Sequence, residues 1–110
     1  MGKQTMNLFE LQKEVNEWSQ NNFPRTLPYQ PLLGITEEVG ELYHAHLKNE
    51  QGIRTNENHQ AAKFDAVGDI VIYLADCCNQ NRINLDLAVT KTWGEVKLRD
   101  WQENKVNGTN

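Results

Sequence analysis

Residues 59–79, HQAAKFDAVGDIVIYLADCCN, decide the fold. Four β-branched residues fall within positions 67–72 and would suit a strand, but the run is far longer than a strand, and Ala61, Ala62, Ala66 and Ala75 favour a helix. Helical spacing places Phe64, Val67, Val71 and Leu74 on one stripe, with Ile70, Ile72 and Tyr73 filling other faces. A helix that is apolar on several sides needs protein around it. Opposite the stripe, Asp65, Asp69 and Asp76 project within about 40° of one another.

Outward from this segment, the remaining helices are set off by breakers. Pro24, Pro28 and Pro31 fall within eight residues, and each fixes φ and removes a donor, which makes an ordered non-helical elbow. Before it, Leu8, Leu11, Val15 and Trp18 form the seam of a first helix; after it, Leu32, Ile35, Val39, Leu42 and His46 trace a second. Residues 50–58 are polar, contain Gly52 and lack periodicity, so they read as a surface loop. Asn84 caps a last helix with the stripe Leu85, Val89, Trp93 and Val96. The pattern predicts helices over about 6–22, 31–49, 59–79 and 84–103, with a frayed tail at 104–110.

The whole is one all-α, four-helix bundle-like domain spanning 1–110, because 110 residues support a single core and no more. Helix three has more apolar faces than one such bundle covers, so a homo-oligomer is expected. Fifteen acids against eleven Lys and Arg give a net charge of −4, which excludes a broad basic surface for a nucleic acid polymer. No apolar run is long enough to span a membrane, and the first ten residues lack the basic-then-apolar layout of a signal peptide, so a cytoplasmic location is expected. Cys77 and Cys78 are adjacent, a poor spacing for a disulfide or a zinc site, and read as reduced core thiols.

Carboxylates carry the chemistry. On helix two Glu38 and Glu41 project about 60° apart, with Glu37 about 40° beyond Glu41, and the stripe of Ile35, Val39 and Leu42 adjoins them. Such acids can form a solvated face. Helix three, however, has few other polar positions, and bringing two acidic helix sides together costs several kcal/mol unless a cation compensates. Oxygen-only ligands suit a hard cation, and an open carboxylate cluster that keeps water suits Mg²⁺ holding phosphates. Gly40 and Gly68, each one residue before an acid, are consistent with close helix approach there.

The phrase Glu37-Glu38-Val39-Gly40-Glu41-Leu42, followed by Val67-Gly68-Asp69-Ile70-Val71-Ile72-Tyr73-Leu74, resembles the all-α MazG-like nucleoside triphosphate pyrophosphohydrolases, whose signature is E-E-x-x-E, a spacer, then E-x-x-D. The likeness runs from helix one to residues 96–101 and is nearest to the small single-domain type related to dCTP pyrophosphatases. It departs at Ala66, where the family has Glu; Asp65 stands one residue earlier. The resemblance implies hydrolysis of a (d)NTP to (d)NMP and pyrophosphate, for nucleotide-pool cleaning, in a homodimer or homotetramer. It implies Mg²⁺, with Mn²⁺ able to substitute, held by Glu38, Glu41 and Asp69, with Asp65 in the place of the missing Glu, and Glu37 and Glu38 in catalysis.

Tyr73 stands one turn after Asp69, where a tyrosine faces the nucleotide in the related dCTP enzymes, so the resemblance implies that it is the ring for nucleotide contact, while Lys48, Arg54, Lys97 and Arg99 are candidates to grip phosphate oxygens. Trp18, Trp93 and Trp101 read as core or interface indoles that could also stack a base. Glu41-Leu42-Tyr43-His44 is a Glu-x-x-His phrase of the di-iron kind, but helix three has no matching histidine, which leaves His44 and His46 as ordinary side chains. The competing expectation is a non-catalytic helical module that binds a metal, a nucleotide or a protein with the same acidic face.

Overall fold

Three helices begin where an asparagine side chain takes up an orphan amide. A computed structural model describes residues 5–109. In it Asn7, Asn58 and Asn84 accept from the backbone N–H of Glu10 (2.8 Å), Ala61 (3.0 Å) and Leu87 (3.0 Å). These caps open α1 (Leu8–Asn22), α3 (His59–Gln80) and α4 (Leu85–Val96). The helix α2 (Gln30–Gln51) starts with Pro31 in its first turn, where a missing N–H costs nothing. It ends at Gly52, whose φ of 67° lets its amide turn back to the carbonyls of Lys48 and Asn49. Four helices and, among the described residues, no strand make the chain all-α.

The first three helices match the sequence reading to within a turn, but α4 does not run to about 103. It stops at Val96 because Asp100 diverts the chain: its carboxylate accepts from the amides of Gln102 (3.0 Å) and Glu103 (3.1 Å), a local competitor to helical bonding. The tail expected to fray is folded back instead. The Asp100 amide donates to the Gly108 carbonyl at 2.7 Å, and Gly108, at φ 77°, is buried against Arg99 and Trp101. Asn110 lies outside the described residues.

Packing centres on α3. One side of it lies along α2; another meets α1, and α4 rests against α1. Val15, Ala75, Cys78 and Leu85 form the core, with Leu8 and Leu11 packed on it. Gln12 pins α1 to the α3–α4 turn: its side chain donates to the Ile83 carbonyl (2.6 Å) and accepts from the Leu85 amide (2.8 Å). Both cysteines are free, and burial, helped by neighbouring Cys77, pushes the Cys78 thiol above its ordinary pKa.

The predicted stripe of α3 is only half used. Its C-terminal part continues through Ala75 and Cys78 under α1, whereas Phe64 (77 % exposed) and Val67 (52 % exposed) lie beyond the reach of α1. Trp18, Leu32, Val39, Tyr43 and Trp93 are exposed as well. The chain consequently presents 8951 Å² of accessible surface. A compact monomer of this mass presents about 6,200 Å². Its radius of gyration is 17.5 Å, against about 13 Å for a compact domain of this length. None of the helices among the described residues is long and apolar enough to cross a membrane.

The glycine that permits close helix approach is Gly34, and not the pair singled out from the sequence. A Cβ on Gly34 would overlap the Tyr73 ring, whereas Gly40 and Gly68 face open space within this chain. Gly34→Ala must displace that ring and is expected to destabilise the fold by about 1–3 kcal/mol. Thermal melts check this; an unchanged Tm would show that Tyr73 has room to move.

Candidate functional site

Where α1 and α2 diverge across the face of α3, they leave a cleft of about 740 Å³. Its position follows from helical spacing: α1 covers the Ala75–Cys78 side of α3, α2 covers the Ala66 side, and Asp69, Ile72, Tyr73 and Asp76 project between them. From α2 comes Glu38, and from α1 come Glu14, Val15 and Trp18. Phe23, just past α1, closes the apolar end edge-on against Trp18, with ring centroids 5.6 Å apart at 70°.

Glu38 is the half-buried acid of α2, on the side of that helix turned toward α3. Burial pushes its pKa up, and the negative charges of Asp69, Glu37 and Glu41 push it further the same way. That coupling brings together four of the five acids predicted from the sequence. Glu37, Glu41 and Asp69 are exposed around it. Asp65 is exposed one turn before Asp69 and is neither a cleft residue nor among the charges acting on Glu38.

Whether this set fits a metal can be judged from the donors. All are carboxylate oxygens, the ligand type of a hard cation. Among the described residues no three His, Cys, Asp or Glu side chains converge into a ready metal cage. Mg²⁺ does not require one, because it is bound through one or two carboxylates together with water and substrate phosphates. The Glu38–Asp69 pair, with its unrelieved repulsion, fits that mode.

The predicted cations are elsewhere. Lys48 donates to Gln51 (3.2 Å), Arg54 pairs with Glu57 (3.6 Å) and has a φ of 52°, and Lys97 and Arg99 follow the end of α4. Among the described residues no Lys or Arg lines the acidic cleft. Lys13 and Arg82 instead border a separate, smaller depression at the α3–α4 turn. Tyr73 is in the cleft as expected; Trp93 and Trp101 are not. His44 is exposed, and His46 makes a surface pair with Glu50 at 3.4 Å.

Sequence reasoning missed Phe23 and Ser19 and assigned Asp76 no site role. Ser19 is buried on α1, and Asp76 of α3 lines the cleft. Burial raises the pKa of Asp76, and hydrogen bonding from Ser19 partly opposes the rise. No family model matches the chain, and no curated protein matches it.

Glu38 binds its proton more firmly in the folded state than in the unfolded one, so stability is expected to fall as pH rises from the ordinary carboxylate range through its raised value. Glu38→Gln removes this loss and should raise the Tm at neutral pH without added metal. Mg²⁺ should then stabilise the parent chain more than the variant. Melts from pH 4 to 8 would contradict the charge argument if both proteins showed the same pH dependence.

Proposed function

We propose that the chain is a MazG-like, Mg²⁺-dependent nucleoside triphosphate pyrophosphohydrolase that works as a homo-oligomer. The observation that carries this is the Glu38–Asp69 pair at an aromatic-walled cleft: adjoining places for a cation with its phosphates and for a flat ring. Bound Mg²⁺ would neutralise triphosphate charge and make water more acidic. Glu38 and Asp69 would hold it, with Glu41 and Asp65 contacting it through water.

The chain's own groups do the rest. Glu37, exposed beside Glu38, takes the proton of the attacking water. The water oxygen bonds to the α-phosphorus, the bond from that phosphorus to the oxygen bridging to the β-phosphorus breaks, and pyrophosphate leaves with the bond's electron pair. Tyr73 and Trp18 flank the nucleotide. Positive charge for the triphosphate comes from Lys48, Arg54, Lys97 or Arg99, which the assembly must bring to the cleft.

Assembly is supported by surface area. The excess over a compact monomer is about 2,700 Å², well above the roughly 800 Å² per partner of a standard interface. Phe64 and Val67 stand beside Gly68, whose missing side chain leaves open space for a second backbone. Phe64→Glu should convert the oligomer to monomer in sedimentation velocity; a parent chain that sediments as a monomer would refute the assembly.

Turnover is tested by incubating the protein with each common triphosphate, with and without Mg²⁺, and assaying pyrophosphate apart from orthophosphate. Pyrophosphate should appear only with metal, and Glu38→Gln or Asp69→Asn should lower kcat/KM by about 100-fold or more, with a far smaller loss for Asp65→Asn. Metal-dependent stabilisation without turnover would instead favour the binding module.

A further inference from the structure

The chain reverses its sign at the turn between α3 and α4. Lys13 of α1 and Arg82, just past the Asn81 cap of α3, border one depression of about 390 Å³, and among the described residues no carboxylate lines it. The acids closest to them in sequence, Glu10, Glu14, Glu17 and Asp86, are not among its walls. Among the described residues neither cation pairs with an acid, although the chain as a whole carries a net charge of −4. Two like charges at one depression repel each other and gain when an anion comes between them.

Helical arithmetic keeps this place apart from the acidic cleft. On α1 the depression takes Phe9, Gln12, Lys13 and Asn16, and the cleft takes Leu11, Glu14, Val15 and Trp18, so the two sets lie on opposite sides of the helix. The depression is also preformed. Gln12 bonds the Ile83 carbonyl and the Leu85 amide, and Asn79 donates to the Gln12 carbonyl at 3.0 Å, which fixes α1 against the turn. Asn84 caps α4 through its side-chain oxygen, which leaves its amide nitrogen to donate. Arg82 itself has a φ of 57°, a left-handed conformation that glycine adopts freely and arginine does not. Arg54 shares that strain, with a φ of 52°, but pairs with Glu57. A turn that only had to reverse the chain would be better served by glycine, so the Arg82 side chain has a use there.

We propose that the depression is an anion-binding site, separate from the acidic cleft, that takes the phosphate group of a small molecule between Lys13 and Arg82. A guanidinium meets two phosphate oxygens side by side, an ammonium meets a third as a point charge, and the two cations match the near-double charge of a phosphate at neutral pH. The amides of Asn16 and Asn84 supply neutral donors. Phe9, 58 % exposed, offers its face to a flat ring where the phosphate carries one. The site needs neither a metal nor turnover, so it stands independently of the catalytic reading.

The test uses the full chain in EDTA, where the acidic cleft repels phosphate. Calorimetric titrations with pyrophosphate and with AMP, at an ionic strength matched with sodium chloride, should show saturable binding at one site per chain. Arg82→Gly and Lys13→Gln should each weaken both ligands by about tenfold or more, the loss of one charge-assisted partner. Glycine adopts the same φ without strain, so the Tm of Arg82→Gly in chloride alone should not fall; a protein that folds as well and binds worse has lost a ligand contact. Phe9→Ala separates the two sources of phosphate: it weakens AMP alone where a stacked ring belongs to the ligand, and neither probe where the phosphate is read by itself. No saturable binding by the parent chain, or equal binding by the parent, Arg82→Gly and Lys13→Gln, overturns the site.

Discussion

The arrangement of α1, α2 and α3 turns on an electrostatic conflict. Glu38 is on the side of α2 that packs toward α3, where hydrophobic burial would favour an apolar residue, and it faces the charge of Asp69 from the opposite helix. Burial and three neighbouring acids all oppose its ionisation. Nothing else in the packing needs a carboxylate there: Ala45 and Ala66 join the buried positions of these helices with no polar group. A divalent cation would relieve the conflict, so the residues that repel one another mark where positive charge belongs.

The cleft follows from how α3 is shared. α3 accepts a neighbour on each of two sides: Ala75 and Cys78 receive α1, while on the other side Gly34 of α2 comes up against the Tyr73 ring. The two partners cannot also touch each other extensively, and the wedge between them is the site. Carboxylates from all three helices line it, Glu14, Glu38, Asp69 and Asp76, together with the rings of Trp18, Phe23 and Tyr73, so charged and aromatic groups share one cavity.

Much of this was legible in the sequence. The Asn84 cap, the proline elbow and the long run at 59–79 mark out helices, and helical arithmetic puts Glu38 beside the apolar stripe of its helix and Asp69 opposite the stripe of its own. What escaped depends on tertiary contact. Periodicity shows which residues share a face but not how far along it a neighbour extends, so Phe64 and Val67 were grouped with Val71 although α1 covers only the later part of the stripe. Likewise Gly34 is one more glycine until the Tyr73 ring is placed over it. The end of α4 at Val96 and the folded tail rest on a single side chain, Asp100, whose competition with helical bonding carries no periodic signal.

The same incompleteness links fold to function. A cleft with acids and no basic side chain among its described lining can hold a cation but cannot by itself balance a triphosphate, which carries more negative charge than one divalent ion neutralises. The chain also leaves more apolar surface uncovered than a compact domain of its length. A second copy would answer both needs at once: it would cover the N-terminal half of α3 and bring up the lysines and arginines that lie outside the cleft in one chain. Stability and phosphate recognition would then be properties of the assembly, and the open space at Gly68 would have a packing use that a single chain does not provide.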